Sequence, residues 1–130
     1  MAGFNKCILI GNLTRNIELR YTPSGTPVGS FGLAVNRRFK QGEELKEEVC
    51  YIDIVTFGKQ AENAAKYLSK GSKATIEGRL QQRRWETEAG EKRSKHEVVA
   101  ENILYLDGTK SHGEEQEDPG MTAQWERTDV

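Results

Sequence analysis

One stretch of this chain, residues 59–69, sets apolar side chains at helical spacing: Ala61, Ala64, Ala65 and Leu68, with Gly71 placed where a helix commonly stops. It is the only convincing helix in the sequence. Any core must therefore be built mainly from strands gathered around it, and the remaining segments read accordingly.

Residues 7–10 form a short apolar run closed by Gly11-Asn12. Residues 18–21 lead into Thr22-Pro23-Ser24-Gly25-Thr26-Pro27. The chain must turn there, because Pro and Gly supply turn dihedrals but not interior ladder positions. Residues 28–35 are rich in small side chains, Gly29, Ser30, Gly32 and Ala34, of the kind found where a sheet coils tightly or another backbone comes close. Residues 37–48 are polar around Gly42 and read as a hairpin tip or a long flexible loop projecting into solvent. In residues 49–57 only Asp53 and Thr56 interrupt apolar and aromatic residues, and β-branched side chains abound, which predicts a strand covered on both faces.

Residues 73–85 alternate. Ala74, Ile76 and Leu80 are expected on the core side, with Lys73, Thr75, Arg79, Arg83 and Trp85 on the other; a bulge at Gly78 would shift that register. After the turn at Ala89-Gly90, residues 92–106 supply the partner strand. Five or six short strands with one helix between the third and fourth describe a small barrel: an all-β chain with one helix, in the order of an OB-fold, a five-stranded Greek-key barrel. The expected domains are the barrel over 1–106 and a disordered acidic tail over 107–130, where Gly, Ser, Glu and Pro predominate and Trp125 is the exception.

The charge follows that division. Residues 1–106 hold 17 Lys and Arg against 13 Asp and Glu, while residues 107–130 hold 2 against 7, so the formal net charge of −1 averages a basic front over an acidic end. Cys7 and Cys50 are far apart among apolar or aromatic neighbours and are expected to be buried free thiols, neither a disulfide nor metal ligands. No basic leader precedes an apolar run and no segment approaches a membrane span, so a cytoplasmic protein without a membrane partner is expected.

The sequence offers no phosphate-cradling Gly loop, no paired metal-site His and no Ser or Cys elbow. His96 and His112 are too few to build on and read as surface or packing residues. Neither an enzyme, nor a metal site, nor a cofactor is expected. What recurs is an aromatic beside positive charge: Phe39 after Arg37 and Arg38, Phe57 before Lys59, Trp85 after Arg83 and Arg84. Every base presents a π-face, so an exposed aromatic can stack on it without reading sequence while Lys and Arg follow the phosphates. Phe39, in a polar loop, and Trp85, at the polar end of an alternating strand, read as binding residues; Tyr51 and Phe57 read equally as core or platform. Arg79 and Arg83 gain weight from sharing a strand face with Trp85, and Lys73 lies on that face as well. Lys66 and Lys70 read as ordinary helix-surface lysines.

Several stretches together resemble the bacterial single-stranded DNA-binding protein family. They are Asn5-Lys6-Cys7-Ile8-Leu9-Ile10-Gly11-Asn12-Leu13, Arg20-Tyr21-Thr22-Pro23-Ser24-Gly25, Phe57-Gly58-Lys59, Tyr67-Leu68-Ser69-Lys70-Gly71-Ser72, Ile76-Glu77-Gly78-Arg79-Leu80 and Arg83-Arg84-Trp85. The resemblance spans roughly residues 2 to 106. It implies an OB-fold assembling as a homotetramer, in the cytoplasm at the nucleoid, that binds and protects single-stranded DNA during replication, recombination and repair. It also implies stacking at Phe39, Tyr51, Phe57 and Trp85; better-known members carry Trp at the first two positions. The site expected from residues and resemblance together comprises those four aromatics with Arg37, Arg38, Lys59, Lys73, Arg79, Arg83 and Arg84.

Three further features depart from the family's pattern. Its usual ending is a run of Asp followed by Ile-Pro-Phe, which docks replication and repair proteins; here the sequence ends Trp125-Glu126-Arg127-Thr128-Asp129-Val130, so that recruitment is not expected of the tail. Ile52 stands where the best-known members have a subunit-contact His, and Asp53 where an Arg is common. Two other functions compete with DNA binding: an OB-fold adaptor acting mainly through protein contacts, and RNA binding, since stacking alone does not distinguish a 2′-hydroxyl.

Overall fold

The computed structural model describes residues 2–106; the tail expected over 107–130 lies outside the described residues. The elements run β1 (Cys7–Leu13), β2 (Glu18–Tyr21), β3 (Pro27–Gln41), β4 (Glu44–Phe57), α1 (Lys59–Tyr67), β5 (Lys73–Glu86) and β6 (Lys92–Tyr105). Five strands form a ring in the order β1, β5, β6, β4, β3, which closes where Asn12 and Leu13 of β1 pair with Ala34 and Leu33 of β3. Short β2 takes the same edge of β3 further along, from Glu18 opposite Ser30 to Tyr21 opposite Pro27. The β4–β6 seam is parallel, Asp53 through Val55 lying against Glu97 through Val99; the other pairings are antiparallel. This is the closed five-stranded barrel with one helix that the element order predicts.

Strand alternation fills the barrel. Phe31 and Leu33 of β3, Ile54 of β4, Ile76 of β5 and Val98 of β6 are fully buried, and Ala64 of α1 and Leu68 just after it join the same cluster. Each large side chain so buried contributes about 1.5–3 kcal/mol. The helix begins after Gly58, at φ 74°, and ends at Leu68, whose N–H donates to the Ala64 carbonyl. Gly71, at φ 93°, serves the turn that follows the helix.

Gly78 does mark a bulge. Glu77 pairs with Asn102 but Gly78 pairs with Ala100, so the extra residue is Glu101 on β6. A Cβ at position 78 would lie 1.9 Å from the Val99 carbonyl oxygen, so only glycine allows the two backbones this close.

One open expectation is decided and three are corrected. Residues 37–48 form the tip of a continuous hairpin, the first of the two readings, and not a flexible loop: β3 and β4 pair without interruption from Val28–Phe57 to Gln41–Glu44 around Gly42 at φ 65°. Its outer part has no core to face, and cross-strand ion pairs, Arg37 with Glu48 at 2.6 Å and Arg38 with Glu47 at 4.0 Å, match the register. Residues 49–57 are not covered on both faces; Ile54 and Thr56 are buried, whereas Val49, Tyr51 and Phe57 are exposed on the outward side of β4. Leu80 is exposed, because it sits at the rim of the core: Val98 opposite is buried, but the next pair on that side, Gln82 and His96, is exposed. Cys50 is exposed and Cys7 half-buried against the core, so neither is a fully buried thiol.

Candidate nucleic-acid interface

The register decides which predicted residues meet. Phe31 opposite Ile54 and Leu33 opposite Ile52 point inward, so the alternate pairs Val28–Phe57, Ser30–Val55, Gly32–Asp53 and Ala34–Tyr51 point outward. The parallel seam sets Asp53 beside Glu97 and Val55 beside Val99 on that outer side. Across β6, the outward pairs continue as Arg79–Val99, Gln81–Glu97, Arg83–Lys95 and Trp85–Arg93. One face of the barrel therefore carries Tyr51, Phe57, Trp85, Arg79 and Arg83, with Arg20 of β2 joining through its pairing to Val28.

Exposure separates platform from core here. Tyr51 is 71% exposed, Phe57 46% and Trp85 42%, in a chain whose core aromatic, Phe31, is fully buried. The Arg83 guanidinium lies 5.3 Å from the centre of the Trp85 ring. Beneath it Glu97, only 2% exposed, faces Arg83 at 3.5 Å and accepts a 2.9 Å hydrogen bond from Gln81 Nε2. Arg79 faces Glu101, the bulge residue, at 3.7 Å. The arginines on this face are thus each held beside a carboxylate rather than left loose.

Two recesses open side by side on the face. One of about 420 Å³ is lined by Arg20, Val28, Phe57, Gln81, Arg83 and Glu97. The other, of about 450 Å³, is bounded by Tyr51, Gly32, Thr14, Arg15, Asp53 and Lys95. A third, about 490 Å³, lies at the tip of the β5–β6 hairpin between Trp85, Arg84 and Arg93.

The remaining predicted residues fall elsewhere. Phe39 is half-buried beneath Arg37, whose guanidinium is 4.5 Å from the ring centre, and alternation puts both on the opposite side of the β3–β4 hairpin from Tyr51. Arg38 is on the Tyr51 side of the hairpin, paired with Glu47. Lys59 is exposed at the first turn of α1, two residues after Phe57. Arg84 donates to Gln82 at 2.9 Å on the side of β5 away from Trp85. Lys73 starts β5 opposite Asn12 of β1, roughly 30 Å of strand from Arg83.

Arg15, Arg20, Lys95 and Glu97 were not anticipated. Lys95 and Glu97 alternate with Val98 in the sequence, but only the β5–β6 register reveals that they meet Arg83 and Gln81. On a separate face, over β1, β5 and β6, Ile8 and Leu104 are exposed. There Lys6 and Glu77 pair at 2.5 Å; this hydrogen bond is the main cause that raises the lysine and lowers the carboxyl from their ordinary pKa values. Burial, with Tyr67 nearby, pushes the Tyr105 hydroxyl up. Among the described residues no helix is long and apolar enough to cross a membrane, and no three His, Cys, Asp or Glu gather as metal ligands would.

The model of the single-strand binding protein family matches residues 4–106. A single-stranded DNA-binding protein of Wolinella succinogenes is 51% identical over 118 residues, covering 88% of this chain and 73% of its own length. One of Helicobacter hepaticus is 52% identical over 113 residues, covering 86% of this chain and 66% of its own, and one of Staphylococcus aureus is 50% identical over 115, covering 87% and 72%. The chain thus spans about two thirds to three quarters of these relatives. Among solved structures, a Plasmodium falciparum SSB in complex with ssDNA superposes with a TM-score of 0.74 at 25% identity, over 82% of this chain and 98% of that one.

Proposed function

Since the chain belongs to the single-strand binding protein family, we propose that it binds single-stranded DNA without reading sequence, along the outer face that carries Tyr51, Phe57 and Trp85. The observation that carries the reading is the exposure of these three rings on one face, interleaved with Arg20, Arg79 and Arg83. Bases stack on the rings and phosphates follow the cations, each stacked base contributing about 1–3 kcal/mol. Phe39 with Arg37, and Arg38 on the other side of the same hairpin, extend the path outward along the arm. Lys59 extends it past Phe57, Arg84 serves a strand passing the β5–β6 tip, and Lys73 takes a phosphate where the path reaches the far end of β5.

The cellular role that follows is protection of single strands during replication, recombination and repair, at the nucleoid in the cytoplasm, without catalysis. We further propose a homotetramer. The exposed Ile8 and Leu104 support self-association, as does β1, which among the described residues pairs with β3 only at Asn12 and Leu13 and so leaves the rest of that edge open to them.

The test is a fluorescence titration with poly(dT) in a Trp125→Phe background, so that Trp85 reports alone. Quenching that weakens as salt rises, with matched duplex far weaker, is the expected result. Absence of both quenching and binding overturns the proposal and leaves an OB-fold serving protein partners. A matched RNA that competes equally makes the ligand single strands of either kind.

A further inference from the structure

The recess beside Tyr51 holds a charge arrangement that stacking does not explain. Asp53 projects into it from β4 and takes two cations at once: Lys95 Nζ of β6 at 2.6 Å and, more loosely, Arg15 Nη1 from the segment after β1 at 3.8 Å. Arg15 reaches that point by crossing Gly32, the residue paired with Asp53; a Cβ at 32 would lie 3.0 Å from Arg15 Nη1 and 2.4 Å from Thr14 Oγ1. The neighbouring carboxylate, Glu97, is already engaged by Arg83 and Gln81. Tyr51 and Asp53 are two positions apart on the same strand face, roughly 7 Å, a separation that lets one nucleotide put its base on the ring and its phosphate in the recess.

We propose that Arg15 and Lys95 form a phosphodiester subsite for the nucleotide stacked on Tyr51, and that Asp53 is its built-in competitor, holding both cations until a phosphate replaces it. This rests on the single-strand reading above. All three side chains are between one third and one half exposed, so the ion pairs are partly solvated and exchange readily. A phosphate entering the recess takes the same two donors, and the displaced carboxylate turns to water. Asp53 consequently lowers affinity at this subsite, both by occupying the donors and by repelling the incoming charge.

The experiment is a double-mutant cycle on the full chain with poly(dT), read as affinity and as the slope of log K against log salt. Asp53→Asn is expected to tighten binding about threefold to tenfold at low salt. Lys95→Gln is expected to weaken it and to make the slope shallower by about 0.7, the value of one single-strand phosphate contact. The diagnostic is coupling: the loss on Lys95→Gln is expected to be larger in the Asp53→Asn background than in the unaltered chain. Equal losses in both backgrounds mean that only overall charge has changed, and they overturn the subsite. So does an Asp53→Asn variant that binds no more tightly than the unaltered chain while melting at the same temperature. Should Asp53→Asn fold poorly, Lys95→Gln and Arg15→Gln decide instead, and unchanged affinity and slope in both overturn the proposal. Failure of the unaltered chain to bind poly(dT) would sink the parent reading, and is distinct from each of these outcomes.

Discussion

Trp85 owes its setting to three neighbours in the β5–β6 hairpin: Arg83 over its ring, Glu97 holding Arg83, and Gln81 holding Glu97. Substituting Trp85→Ala removes the ring proposed as a stacking surface from a largely solvated strand end. Affinity for single strands should fall by about 1–3 kcal/mol while the melting temperature scarcely moves. A collapse in melting temperature would identify the ring as structural. Trp85 and Arg83 were legible in the sequence because a strict alternation put them together opposite Ala74 and Ile76. Tyr51 and Phe57 were not, since the run from 49 to 57 contains too few polar residues to show which side faces water. Glu97 was invisible for another reason: a single acid in a strand reads as surface, and its burial depends on two side chains delivered from the facing strand.

At the level of elements, the bulge at Gly78 sets how β5 and β6 leave the barrel. Replacing Gly78→Ala forces a methyl against the Val99 carbonyl, with backbone and not a flexible side chain in the way. The expected cost is about 1–3 kcal/mol or more, seen as a lower urea midpoint at unchanged m-value. An unchanged midpoint would mean that the ladder relaxes around the methyl. The sequence showed this element well, since a lone glycine in an alternating strand suggests a bulge. It showed the β3–β4 arm poorly. Hydrophobic periodicity is the main sign of a strand, and an arm beyond the core has none to offer. Its register is carried instead by basic residues 37 and 38 facing acidic residues 47 and 48, a pattern equally at home in a loop.

For the molecule as a whole, net charge conceals where attraction to DNA arises. Residues 1–106 carry four more cations than acids, and several of those cations, Arg15, Arg79, Arg83 and Lys95 on the proposed face among them, are engaged by carboxylates within the barrel. Residues 107–130 carry five more acids than cations. A chain ending at residue 106 should therefore bind poly(dT) as tightly as the full chain or more so, most visibly at low salt, because an acidic segment competes with phosphate for the same face. Weaker binding on removal would show that these residues add to the site. The closed ring has a further consequence, at the ribosome. β1 pairs with β5 between residues that are 61 to 71 positions apart, whereas β3 and β4 meet through a single tight turn. At about 5–20 residues per second, the first strand waits several seconds for its partner to be made. Synthesis is then the stage at which the Cys7–Leu13 strand, still without its β5 partner, most exposes this chain to aggregation, and a slow passage through codons 14–72 would lengthen the risk.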